Sequence, residues 1–113
     1  MHISSLIPVL ILSGFVFGTC NKSIEIPSCI QTQIESFKQS SLCDKTATVK
    51  QYEFLGKTVY VFDEGGCCCD RAASVVDENC NSLGILGGIA GITKINGVVF
   101  SDSAVYRRTI WHN

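Results

Sequence analysis

Residues 47–63 read ATVKQYEFLGKTVYVFD, and this stretch decides the fold. Two runs rich in β-branched and aromatic residues flank Leu55-Gly56, which predicts two antiparallel strands, Ala47–Phe54 and Lys57–Asp63, joined by a tight turn. The second run is apolar or aromatic along its centre, TVYVF, so both of its faces are expected to be buried. It is therefore predicted to lie in the middle of a sheet.

A helix is predicted before this hairpin, over residues 28–39. Pro27 precedes Ser28, and Gln31 follows three positions later, which matches a capping box at a helix start. Apolar residues then recur at the spacing of one helix face. They are Ile26, Ile30, Ile34 and Phe37.

The rest of the chain predicts further strands. A short strand at Ser74–Val76 is followed by a turn at Asp77–Asn79, and Asn96-Gly97 is a strong signal for a hairpin turn. Arg107–Trp111 resembles a closing strand. The predicted class is α+β, with one N-terminal helix packed on a small, mainly antiparallel sheet that disulfides staple together.

Composition excludes several classes of protein. Nine Lys and Arg against ten Asp and Glu leave a charge of −1 over 113 residues, so there is no basic surplus for binding nucleic acid. With 46% hydrophobic and 17% charged residues, the chain does not have the composition of a disordered protein. Its length fits one domain, predicted over 28–113.

The N-terminus predicts export. Leu6–Phe17 carries no charge, and Lys22 is the first Lys or Arg of the chain. Twelve helical residues reach about 18 Å, against about 30 Å of bilayer hydrocarbon, so the segment fits a secretory signal better than a membrane span. The predicted signal covers 1–19; a buried N-terminal helix is the alternative.

Cys20 is the last residue of a motif at the end of the predicted signal. Phe17-Gly18-Thr19-Cys20 resembles the lipobox of bacterial lipoproteins, in which the cysteine receives lipid and becomes the first residue of the mature protein. Residues 20–27 would then form a tether that holds the domain at a membrane. Ordinary signal peptidase cleavage near Gly18–Asn21 is the alternative.

Lipidation at Cys20 would leave an even set of cysteines for disulfides in an oxidising envelope. These are Cys29, Cys43, Cys67, Cys68, Cys69 and Cys80. Bonds between neighbours in the triplet would be strained. A helix from Cys29 to Ser40 is about 16 Å long, and the next three residues return at most about 10 Å, which disfavours Cys29–Cys43. Both are expected to pair with the triplet or with Cys80.

Several stretches together resemble a family of small exported domains from Bacteroidota, catalogued as a domain of unknown function. The resemblance covers Ser28 to Trp111, and it implies a compact, exported and often lipid-anchored domain without an assigned activity. The stretches are GKTVYVFD at 56–63, a cysteine-bearing turn ending in Asp70, CNSLGILGGIAG at 80–91, KING at 94–97 and TIW at 109–111.

The cysteine triplet is the first candidate for chemistry. Adjacent thiolates at Cys67–Cys69 could bind Cu(I) or Zn²⁺ or exchange disulfides, and structural disulfides are the simpler interpretation. Asp63 and Asp70 near the Gly65-Gly66 turn are weak candidates for a Ca²⁺ site, because acidic residues in turns are usually solvated.

Two further stretches bear on binding. Residues 84–91 alternate glycine with aliphatic residues but lack a phosphate-binding pattern, which favours a tight turn or bulge beside the core. Arg and Trp side chains are common in binding hot spots, so the end of the chain is a candidate partner surface, with a core tryptophan and solvated arginines as the alternative. Its candidate residues are Tyr106, Arg107, Arg108 and Trp111.

These residues predict a binding or structural module rather than an enzyme. His112 is the one histidine beyond the predicted signal, so no nucleophile system is indicated, and neither a catalytic residue nor a cofactor is predicted. The expected partners are a membrane, reached through the lipid anchor, and a protein or glycan. A cysteine-based metal-binding or thiol-redox protein of the envelope is the alternative function.

Overall fold

A computed structural model describes residues 25–40, 46–66 and 71–113, and it shows one long helix with a five-stranded antiparallel sheet. The predicted signal and most of the predicted tether lie outside the described residues. The elements are α1 (Ser28–Lys38), β1 (Thr48–Phe54), β2 (Lys57–Asp63), β3 (Ala72–Asp77), β4 (Ser82–Gly87), β5 (Lys94–Ile95), β6 (Val98–Val99), α2 (Phe100–Ser103) and β7 (Val105–His112).

The sheet confirms the predicted α+β class. Its strand order is β4-β3-β2-β1-β7, and every neighbouring pair is antiparallel. β2 is the central strand, as its sequence predicts, because Val59 and Val61 are buried on one face while Tyr60 and Phe62 are buried on the other. Both faces of the sheet therefore need a cover.

Helix α1 covers the first face. Ile30 and Ile34 are buried against Tyr60, Phe62 and their neighbours. At the other end of the helix, the Phe37 ring makes edge-to-face contacts with two aromatic rings. Their centroids lie 5.3 Å away at Phe62 and 5.9 Å away at Trp111. The predicted apolar helix face is thus the face that packs on the sheet.

The start of α1 differs from the predicted capping box. Pro27 is the N-terminal cap residue and Ser28 is already helical, with no side-chain capping bond. The Pro27 carbonyl accepts from the backbone amides of Ile30 and Gln31, and the Gln31 side chain donates to the Ile26 carbonyl at 2.8 Å. Because the helix begins one residue after the proline, the serine occupies the first turn instead of the cap.

The second face is covered by the β5–β6 hairpin and the short helix α2. Ile95 of β5 is 1% exposed and Phe100 of α2 is 7% exposed, and both pack with Phe54, Val59 and Val75. The hairpin signal at Asn96-Gly97 predicts this turn correctly. α2 is not predicted, because four residues are too few for a helical periodicity to appear.

The glycine-rich stretch divides into a strand and a turn. Its first part forms β4 on the edge of the sheet, and the register against β3 shifts between Val75 and Val76. Gly84 lies at this irregularity with φ of 143°, and a Cβ there would lie 3.0 Å from Ile95 Cδ1. Glycine is therefore required both by backbone conformation and by the close approach of the hairpin.

The sheet has two ends that carry different features. The hairpin end holds the β1–β2 turn at Leu55-Gly56, the β3–β4 turn, and the start of β7 at Val105. The opposite, glycine end is where β4 stops at Gly87 and the chain turns through 88–91. Helix α1 begins at the hairpin end and finishes near the glycine end.

Two turns in the molecule share one backbone geometry with different residues. Leu55-Gly56 has φ values of 52° and 78°, and Asn96-Gly97 has 53° and 77°. Positive φ at both positions is the type I′ turn that joins tightly paired strands, and asparagine suits its first position. A leucine side chain there is strained, and Leu55 remains 53% exposed, so burial does not offset that strain.

Leu55→Asn is expected to raise the free energy of unfolding by about 0.5–1 kcal/mol, because it relieves the left-handed strain at little cost in buried area. Urea unfolding followed by circular dichroism measures the change. The matched control is Asn96→Leu, which is expected to destabilise the protein by a similar amount. A less stable Leu55→Asn variant would contradict this account of the turn.

Candidate functional site

A disulfide fixes helix α1 to the hairpin end of the sheet. Cys29 in the first turn of α1 bonds to Cys80, with their Cα atoms 6.1 Å apart and a sequence separation of 51. Cys80 follows the β3–β4 turn and has φ of 65°. The sequence predicts that Cys29 pairs either with the triplet or with Cys80, and the structure shows the bond to Cys80. These two cysteines therefore serve as a structural bond.

The other cysteine candidates lie outside the described residues. They are Cys20, Cys43, Cys67, Cys68 and Cys69, and the same holds for Asp70. Among the described residues, no three histidine, cysteine or acidic side chains come together as a metal site.

The acidic turn after β2 is engaged in local bonds. Asp63 is exposed, and its Oδ1 accepts a hydrogen bond from the Gly65 amide at 2.8 Å. Glu64 forms an ion pair with Arg71, which begins the next described segment. Asp63 thus stabilises the turn through a short backbone bond, as aspartate commonly does at such positions.

The four partner-surface candidates of β7 separate into two groups. Trp111 is half-buried and packs on the helix-side core against Phe37. Arg108 is half-buried and donates from Nη1 to Gln51 Oε1 at 2.7 Å. Tyr106 and Arg107 remain exposed at the hairpin end. Register shifts along β7 contribute to this divergence, because each one changes which side chains share a face.

Tyr106 is the exposed member of a row of aromatic rings that runs outward from the second core. Ring centroids are 4.8 Å apart between Phe54 and Phe100, 5.2 Å between Phe100 and Tyr52, and 5.8 Å between Tyr52 and Tyr106. The Tyr106 hydroxyl also lies 2.9 Å from Thr109 Oγ1. These contacts hold an exposed aromatic side chain in one orientation.

Exposed apolar side chains gather at the two ends of the sheet. Leu55, Val105 and Tyr106 at the hairpin end are each 53% exposed. Ile89 at the glycine end is 89% exposed and Ile85 on β4 is 44% exposed. The sequence predicts Tyr106 as a surface residue but does not predict the exposed aliphatic residues. A leucine at the position of a tight turn that asparagine favours is the signal in the sequence that points to Leu55.

Two hollows adjoin the sheet. A groove of about 250 Å³ lies on the helix side between α1 and β3, and a smaller hollow of about 200 Å³ lies by the glycine end. Glu64 is the ionisable side chain of the first groove. The groove's other lining residues include Gln33, Ser36, Phe37, Phe62 and Ser74, and the hollow is lined by Leu86, Ile92, Thr93, Phe100 and Ser101.

Among residues 25–40, 46–66 and 71–113, three ionisable groups have shifted pKa values, and each shift has a structural cause. Burial raises the pKa of Tyr60, with the nearby Glu78 charge adding to it, and burial likewise raises the pKa of Tyr52 beside Tyr106. Hydrogen bonds from the backbone amides of Asn81 and Asn79 hold the pKa of Asp77 below its ordinary value, against a smaller desolvation effect. The pKa shifts of the two tyrosines thus result from burial, and the pKa shift of Asp77 results from hydrogen bonds within a turn.

The fold and the disulfide define a small α+β domain, mostly sheet, with apolar side chains displayed at both ends. The chain belongs to the family described as Domain of unknown function (DUF6970), which matches residues 35–113. This bears out the resemblance at the level of an uncharacterised domain family. No curated protein and no solved structure matches the chain. Within the described segments, no helix is long and apolar enough to cross a membrane.

Removing the disulfide is expected to lower the free energy of unfolding by about 2–4 kcal/mol, because a bond across a long loop restricts the unfolded chain. The variant is Cys29→Ser combined with Cys80→Ser, compared with the wild type by urea unfolding. The control is Ser36→Ala, an equally small change on α1, which should leave the unfolding midpoint near the wild-type value. An unchanged midpoint in the double variant would count against the disulfide.

Asp77→Ala is expected to lower stability near neutral pH, because the carboxylate accepts two backbone amides at 2.9 Å. The lowered pKa means that this stabilisation is present above the ordinary value of 3.8 and is lost as the pH falls through the lower folded-state pKa. Urea midpoints at pH 7 and in strong acid should therefore differ between variant and wild type only at pH 7. Glu78→Ala, next in sequence and exposed, is the matched control, because the Asn79 and Asn81 amides donate to Asp77.

Proposed function

We propose that the protein is an exported domain, lipid-anchored through Cys20 in the cell envelope of a bacterium of the Bacteroidota, and that it acts there as a binding or structural module. The observation that carries this proposal is the Cys29–Cys80 disulfide. Disulfides persist in oxidising compartments and are rare where thiols are kept reduced. An exported location gives this bond a reason to form.

The cysteine count supports the lipid anchor. Seven cysteines leave one unpaired in an exported protein, and Cys20 is the one that follows an apolar, uncharged segment. With lipid on Cys20 and the Cys29–Cys80 bond formed, an even set remains, namely Cys43, Cys67, Cys68 and Cys69. Lipidation thus resolves the odd number without a free thiol.

The exposed apolar side chains support the binding role. Aromatic side chains are favoured where one protein surface meets another, and Tyr106 is 53% exposed. Tyr106 in particular is held by Tyr52 and Thr109, so little conformational freedom would be lost when a partner binds. We therefore expect a partner to contact the exposed side chains at the ends of the sheet.

Intact-mass spectrometry of the protein purified from bacterial envelopes tests the proposal. We expect a chain that begins at Cys20, carries a diacylglycerol there and has no reactive thiol. Cys20→Ala is the matched control and should lose the lipid. An unprocessed N-terminus would overturn export, and a chain cleaved elsewhere without lipid would overturn the anchor. Free thiols at Cys43 and Cys67–Cys69 with bound zinc or copper would favour the metal-binding alternative.

A further inference from the structure

The hairpin end of the sheet exposes three apolar side chains to solvent. Leu55, Val105 and Tyr106 are each about half exposed, and Leu55 also holds a strained left-handed conformation. Asn96 shows that the same turn is built elsewhere in this molecule from the favoured residue. A strained and exposed leucine in a turn that accepts asparagine indicates a role outside the fold.

The chain that leads to Cys20 enters the domain at this same end. Helix α1 begins at Ser28, and the disulfide from Cys29 holds its first turn against Cys80 beside the β3–β4 turn. The β1–β2 turn lies two strand positions away in the sheet, about 10 Å across the strands, and extends past the last β2–β3 pair at Val59 and Asp77. Leu55 and the start of α1 therefore lie at the same end of the sheet.

The length of the tether limits where a lipid on Cys20 can lie. Ile26 packs on the helix-side core, so the free tether is residues 21–25, which span at most about 18 Å when fully extended. β2 has seven residues, so the sheet is about 23 Å long from the hairpin end to the glycine end. A lipid on Cys20 therefore lies nearer the hairpin end, because the free tether is shorter than the sheet.

We propose that in the lipid-anchored protein the hairpin end rests on the bilayer surface, with Leu55, Val105 and Tyr106 at the boundary between headgroups and acyl chains. This inference rests on the proposed lipid anchor. Aliphatic side chains gain by leaving water there, and tyrosine suits the interface because its ring is apolar and its hydroxyl polar. The partner is thus a lipid surface.

Charge at the hairpin end does not by itself favour a lipid surface. Lys57 and Arg107 are exposed and lie close to the apolar side chains in sequence, where they can meet lipid phosphates. Carboxylates outnumber these cations, since Glu78 and Asp102 are exposed and Glu53 and Asp77 are half-buried at or near the same end. The apolar side chains and the position of the tether therefore carry the contact, with the cations placed at its margin.

Tryptophan placed at each end of the sheet tests the orientation. Leu55→Trp and Ile89→Trp are expressed as full chains in a lipoprotein-processing bacterium, purified with their lipid and reconstituted into vesicles of phosphatidylethanolamine and phosphatidylglycerol with brominated acyl chains. Bromine quenches tryptophan at the acyl boundary. We expect the added emission of Leu55→Trp to fall roughly twofold relative to unbrominated vesicles, while Ile89→Trp is unaffected.

Native Trp111 gives the baseline, because it is half-buried near the glycine end and is common to both variants. Val105→Trp is the second probe, since it reads the same end without changing the turn. Urea midpoints near the wild-type value show that each variant folds.

Two failures are distinguishable. If mass spectrometry shows lipid on Cys20 and the protein floats with vesicles, but Ile89→Trp is quenched more than Leu55→Trp and Val105→Trp, or no probe is quenched, the orientation is wrong and the anchor stands. A chain without lipid would overturn both the anchor and the orientation.

Discussion

Burial of strand β2 on both faces is the constraint on which the rest of the structure depends. Val59 and Val61 point into one core, and Tyr60 and Phe62 point into the other. A single helix can cover only one face of a sheet, so the chain must supply a second cover. It does so with the β5–β6 hairpin and α2, whose Ile95 and Phe100 are almost completely buried. Residues 94–103 thus form the cover over the face of the sheet that holds Val59 and Val61.

The disulfide helps to determine where helix α1 lies on the first face of the sheet. α1 is only 11 residues long and has no side-chain cap at its start, so its own helical stability is low and its position depends on packing and on Cys29–Cys80. The same bond fixes where the N-terminal chain meets the domain. One covalent link therefore supports the fold and places the start of α1 at the hairpin end of the sheet.

The elements predicted from sequence are those whose signals are local. The β1–β2 hairpin, the central position of β2, the helix face and the Asn96-Gly97 turn each depend on a short pattern. β4 is not predicted as a strand because glycine carries little strand preference, and the need for Gly84 appears only with its backbone angle and its approach to Ile95. The capping box was wrong because Pro27 already supplies the first helical acceptor.

The candidate surface was predicted only in part, for a related reason. Tyr106 could be chosen from its residue type, but its exposure and the burial of nearby Trp111 depend on the register shifts of β7, which the sequence does not display. Leu55 was recognised as part of a turn, whereas its strain appears only once the backbone angles are known. Asn96 occupies the same position in a second turn of the molecule, and this comparison shows that the turn does not require a leucine.

Hydrogen exchange of the lipidated protein, free in detergent and bound to vesicles, tests the account most directly. If β2 is the centre of the fold and the hairpin end contacts the bilayer, amides of Val59–Phe62 exchange slowest in both states, and the amides of Leu55 and Gly56 slow down only on vesicles. Faster exchange in β2 than in the edge strands β4 and β7, or slowing on vesicles confined to residues 88–91, would contradict it.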